Sequence, residues 1–219
     1  MSQRKTRLVN SHFYHVFNRG INKIPIFYDF FDYQRALETI KYYRINTNQQ
    51  RFSEFLKMPR KERDLYLSKD HPGKVEIVVF CLMPNHFHFI LKQLTENGIS
   101  DFVSRFSNSY TKYFNIKYNR CGHLFQDTFK SVFIEDDEQL IHLSRYIHFN
   151  PVTSFIVGDS QVAEYKWSSA RQYLGMEEGF VCTETVMQQF KNIDAYKKFL
   201  DSQVDYAKKL EAIKHLTID

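Results

Sequence analysis

Residues 82–91 read Leu82-Met83-Pro84-Asn85-His86-Phe87-His88-Phe89-Ile90-Leu91, and two histidines one residue apart carry the most chemistry in the chain. In a strand, side chains alternate faces, so His86 and His88 point one way while Phe87, Phe89 and Leu91 point the other. Same-face neighbours lie about 6.5 Å apart at Cα, close enough for two imidazoles to converge on one ion. The pattern also fits a strand with two polar residues on its wet face. By itself it does not decide.

A second constellation lies on the helix expected to start at Asp136 or Asp137 and to stop near Asn150, ahead of Pro151. Leu140, Leu143, Ser144 and Ile147 form its buried stripe, and Tyr146 and Asn150, at i and i+4, share one shoulder of that stripe. A phenol and an amide can act there at one point. Equally, Tyr146 can be a boundary aromatic and Asn150 a C-cap.

These residues need a scaffold, and the chain is long enough to supply one: 219 residues, of which 43% are hydrophobic, fill a core. Strand character over 12–18, a helix capped by Asp32 and running to about Asn46, and strands over Val75–Leu82 and the histidine segment come first. A helix from about Ser100 and a strand over Lys130–Ile134 complete the order β-α-β-β-α-β, followed by the Tyr146 helix. This is the split β-α-β arrangement of an α+β, ferredoxin-like fold, with helices on one face of an antiparallel sheet and the other face free for a ligand. Phe102, Phe106, Tyr110 and Phe114 recur every four residues and read as core. Residues 47–73 form a peripheral polar insertion. Residues 1–164 are read as the catalytic domain and 165–219 as a C-terminal extension of loop and helices.

Net charge is +5, and the positive excess falls within residues 1–164, a weak pointer to a phosphate-bearing partner. Three dispersed cysteines indicate neither a disulfide framework nor a zinc site. No apolar run approaches the ~20 residues that span a bilayer, and residues 1–7 lead into no signal-type stretch, so a cytoplasmic protein without membrane partners is expected.

Three blocks then occur in order: Met83-Pro84-Asn85-His86-Phe87-His88; Tyr110-Thr111-Lys112-Tyr113-Phe114-Asn115 through Gly122-His123-Leu124-Phe125-Gln126 to Phe129-Lys130-Ser131; and Tyr146-Ile147-His148-Phe149-Asn150-Pro151-Val152. Together they resemble the single-tyrosine His-hydrophobic-His transposases of the IS200-like family, closest to the REP-associated subgroup, over roughly residues 10–175. The resemblance implies that His86 and His88 are metal ligands for Mg²⁺ or Mn²⁺, Tyr146 the nucleophile and Asn150 the third ligand, where simpler members carry Gln. It also implies cleavage and strand transfer of single-stranded DNA beside a hairpin, through a 5′-phosphotyrosine and a free 3′-OH, by a monomer or homodimer. A phenol of pKa ~10 attacking an anionic phosphodiester needs such a cation.

Lys112, Lys117, Arg120 and Lys130 are candidates for phosphate contacts, with Arg145 beside the tyrosine. His148 also flanks the tyrosine, His12 and His15 read as structural, and no role for His123 follows from sequence. The alternative is a non-catalytic nucleic-acid-binding module of the same topology; the chain lacks the aromatic-glycine pattern of RNA-binding sheets. Replication initiators and relaxases share the histidine chemistry but usually order their motifs differently or carry tyrosine pairs.

Overall fold

The computed structural model describes residues 7–46, 51–68, 71–158 and 161–202. Its centre is a four-stranded antiparallel sheet of β1 (Phe13–Arg19), β2 (Val75–Met83), β3 (His86–Gln93) and β4 (Lys130–Phe133), in the spatial order β2-β3-β1-β4. That order is the ferredoxin-like one, and the expected fold class holds. Two residues, Pro84 and Asn85, connect β2 to β3, which pair as neighbours.

Alternation along β3 works as expected. Phe87, Phe89 and Leu91 enter the core beneath α1 (Phe30–Tyr43) and α4 (Gly98–Lys117), where Ala36, Ile40, Phe102, Phe106, Tyr110 and Phe114 meet them. His86, His88 and Ile90 therefore lie on the opposite face. A bulge between Ile77 and Val79 adds a residue to β2 and resets its phase, so that Ile77, Phe80 and Leu82 share the first core while Val79, Cys81 and Met83 join the second.

Several details depart from the sequence-based reading. Asp29, not Asp32, caps α1, its side chain accepting from the Asp32 amide. Asp32 turns inward and is fully buried. The insertion forms α2 (Phe52–Phe55) and α3 (Arg60–Ser68), and it is less peripheral than its polarity implies, because Phe52 and Phe55 bury their rings against Tyr42.

The tyrosine helix, α5 (Asp137–Thr153), is capped by Asp136 and continues through Pro151 into a last turn. A proline so near the end removes only one helical hydrogen bond. This helix lies on the second sheet face, mainly over β2, so that face is not left open across its whole width. It is covered in turn by the C-terminal segment, with α6 (Ala170–Tyr173), α7 (Glu184–Met187) and α8 (Ile193–Asp201), whose Tyr173, Val186, Tyr196 and Leu200 share a core with Leu143, Tyr146 and Ile147. Trp167 and Ser169 pair with the free edge of β2 through Leu82 N–H to Trp167 O and Ser169 N–H to Phe80 O, which closes that edge. The expected boundary at 164/165 therefore falls inside continuous packing. Residues 203–219 of the expected extension lie outside the described residues. No helix among the described residues is long and apolar enough to cross a membrane.

Candidate active site

His86 and His88 stand on one face of β3 with ring centroids 4.8 Å apart. Tyr146 and Asn150 come down on them from α5: the Tyr146 ring meets His88 edge-on at 5.8 Å, and the Asn150 amide nitrogen lies 3.5 Å from His88 Nε2. All four residues are buried. The two constellations read separately from the sequence thus form one site.

Hydrogen bonding fixes which nitrogen of each imidazole is available. Asn85 donates through Nδ2 to Lys23 O, which aims its Oδ1 at His86 Nδ1, 2.6 Å away. An amide oxygen can only accept, so His86 Nδ1 carries the proton and Nε2 the lone pair. That Nε2 is buried with no hydrogen-bond partner among the described residues. His88 Nδ1 and His15 Nε2 share a hydrogen bond of 2.9 Å, and the Asn150 amide nitrogen, a donor, faces His88 Nε2, which matches the tautomer with the lone pair on Nε2 and the proton on Nδ1. Two Nε2 lone pairs are therefore presented toward one amide.

Both imidazoles are also held neutral. Burial, reinforced by the positive charge of Arg19, pushes His86 down to about 4. Burial and the neighbouring His86, His15 and Arg19 hold His88 well below its ordinary range. Neutral imidazoles are the form that ligates metal. Among the described residues no three His, Cys, Asp or Glu side chains gather as a metal-binding group, and the polar side chain that faces His88 Nε2 is the Asn150 amide. Turning its amide about the last bond exchanges Nδ2 for Oδ1 and moves nothing else.

His15 and Asn85, to which the motif reading gave no role at the site, each hydrogen-bond one of its imidazoles at Nδ1. Each thereby fixes the orientation of its histidine ring and leaves Nε2 unengaged by it. His15 is fully buried and stacks on His88 at an interplanar angle of 14°. Replacing His15 by Phe keeps a ring but removes the acceptor, so His88 can adopt the other tautomer. Mn²⁺ affinity is expected to fall about 10–100-fold, as read by calorimetric titration; unchanged affinity would mean that His15 only fills space.

Other tyrosines are committed elsewhere. Tyr110 is buried and donates to Ile26 O, while Tyr113 and Tyr118 donate to Asp32. The basic candidates divide. Lys112 and Lys130 are exposed, and Lys130 shares the site's side of the sheet, its Nζ 6.0 Å from the Phe17 ring. Arg120 is half-buried over the Phe114 ring.

Lys117 is corrected: its ammonium bonds Asp29 at 2.8 Å and Asp32 at 2.7 Å and ties the end of α4 to the start of α1, so its charge is already neutralised. Arg145 is corrected too, being buried against the Phe199 ring rather than turned to DNA. His148 is fully buried between Tyr196 Oη at 2.8 Å and Ser169 Oγ at 2.7 Å, where it fastens α5 to the C-terminal segment. Burial pushes it down to about 3 and keeps it neutral. His123 lines a 770 Å³ cavity between α4 and the 123–129 loop, and His12 bonds Asn10 O at the surface.

The family model for IS200-like transposases matches residues 38–150, a span that takes in both histidines, Tyr146 and Asn150. The chain belongs to the IS200-like transposase family. A solved REP-associated tyrosine transposase, bound to a REP hairpin, shares the fold of this transposase: the TM-score is 0.53 and the identity 19%, over 81% of this chain and 89% of that one. Among curated proteins none matches.

Proposed function

We propose that this transposase is a metal-dependent, single-strand-specific DNA endonuclease and strand transferase that works through a 5′-phosphotyrosine on Tyr146. The observation that carries the reading is the convergence of two neutral imidazoles, each engaged at Nδ1, with one amide and one phenol ring in a single buried cluster. His86 Nε2, His88 Nε2 and the Asn150 amide oxygen would hold the ion, and with two nitrogen donors the set suits Mn²⁺ better than the harder Mg²⁺. When bound, the ion supplies charge neutralisation and polarisation at a non-bridging phosphate oxygen.

The chain's own residues do the rest. Tyr146 Oη forms a bond to phosphorus as the bond from phosphorus to the 3′-oxygen breaks. The phenol proton passes to solvent, and the leaving oxygen takes up a proton to become a free 3′-OH. Because the phosphoester is conserved in the tyrosyl link, a second 3′-OH can reverse the step without ATP. Packing of Tyr146 against His88 and Ile147 sets its line of approach before substrate arrives.

Residues this buried are reached by a flexible unpaired backbone far more readily than by a stacked duplex. The substrate we assign is therefore unpaired DNA next to a hairpin; the structural relative is bound to a REP hairpin. Incubation with Mn²⁺ and oligonucleotides from the intergenic repeats flanking its own gene is expected to give a covalent adduct on single strands and none on the same sequence fully paired. Equal cleavage of both would overturn the substrate assignment, and salt-sensitive binding with no adduct on either would favour the non-catalytic module.

A further inference from the structure

We infer that Arg19 is a phosphate-binding residue of this site, gripping the scissile phosphodiester on the side away from Tyr146's helix. Resting as it does on the reading under Proposed function, the inference concerns a residue outside every block that carries the family resemblance. Arg19 ends β1 and stands directly opposite His86 in the β1–β3 register. Strand alternation places it on the same face as His15 and Phe17, and the Phe17 ring lies 6.0 Å from that of His88. Gly20 follows, tightly boxed: a Cβ there would collide with the Ile24 carbonyl. The Gly20 amide bonds Asn85 O, so the end of β1 is fastened to the turn that begins the histidine strand.

This position leaves a guanidinium with a buried donor for an anion to satisfy. Arg19 is only partly exposed, forms no ion pair among the described residues, and keeps its Nε buried without a hydrogen-bond partner. Its charge is felt by both His86 and His88. A divalent ion on those histidines adds a second positive charge nearby, which repels the guanidinium. A phosphodiester between them relieves the repulsion and satisfies the guanidinium's planar donors. Ion and DNA should then bind synergistically, each tightening the other by the same factor.

The test uses Tyr146→Phe as background to prevent cleavage, with a single-stranded oligonucleotide whose scissile linkage has first been mapped with wild-type protein. With Arg19 present, replacing that one phosphate by an uncharged methylphosphonate is expected to weaken binding about tenfold or more. With Arg19→Gln that penalty should shrink to the part that the ion alone imposes, Arg19→Lys should restore part of the difference, and the tightening of Mn²⁺ by DNA should weaken. A purely structural arginine lowers affinity for both linkages equally, and the same methylphosphonate penalty with and without the guanidinium would overturn the inference. If Arg19→Gln does not fold, Arg19→Lys decides: an undiminished penalty and undiminished Mn²⁺ synergy in that variant would overturn it. Absence of any wild-type adduct would instead mean that the endonuclease reading itself fails.

Discussion

Replacing His86 by Ala is expected to lower DNA cleavage by about 10³-fold or more while leaving affinity for single-stranded DNA within a few-fold of wild type. The large effect follows from losing an ion that contributes several kcal/mol to the transition state, at tenfold per ~1.4 kcal/mol. Affinity survives because it comes chiefly from lysine and arginine at phosphates, and Lys112 and Lys130 remain exposed. His88→Ala should show the same loss of cleavage together with a stability loss, since its ring is enclosed by His15, Phe17 and Tyr146. His86 lies nearer the surface, so its variant separates chemistry from folding. The measurement pairs single-turnover cleavage with filter binding at several salt concentrations, and excess EDTA should reproduce the loss in the wild type. Undiminished cleavage in EDTA would remove the metal from the account.

Tyr146→Phe carries the second large effect. The ring stays packed edge-on against His88, and loss of the hydroxyl costs no more than about 1.5 kcal/mol of stability. Binding of DNA and Mn²⁺ should persist while the covalent adduct falls below detection, because a phenyl ring has no oxygen to attack phosphorus. Gel analysis of the adduct beside thermal unfolding and Mn²⁺ titration distinguishes a lost nucleophile from a lost fold. Adduct formation at the wild-type level would exclude Tyr146.

The ferredoxin-like order was legible because β3 alternates, β2 is a nearly continuous apolar run, and Gly20, Pro84 and Asn85 mark the turns. The four residues at the centre of the site were legible because two of them share a strand face and two share a helix edge. What lay beyond was the set of partners reached across strands. His15 meets His88 only in one β1–β3 register, and a slip of one residue would send it to the other face. Lys117 and Arg145 read as basic helix residues, and one-dimensional spacing does not show that Asp29 and Asp32 close on the first or that Phe199 covers the second.

Helix α5 illustrates the same limit. Its periodicity marks one buried stripe, yet His142, Arg145, His148 and Phe149 are buried as well, because the C-terminal segment packs on the side that a helix on an open sheet face would show to water. The α1 cap, by contrast, left a signal: Asp29 precedes Asp32 by three residues, the spacing of a capping pair.

The most direct test of the central claim is to digest the covalent complex formed by wild-type protein, Mn²⁺ and a hairpin-flanked single strand, and to locate the nucleotide by mass spectrometry. The account predicts a 5′-phosphate ester on the peptide that contains Tyr146 and a DNA fragment released with a free 3′-OH. A nucleotide on Tyr110, Tyr113 or Tyr118, or no covalent complex on any single-stranded substrate from its flanking repeats, would contradict it.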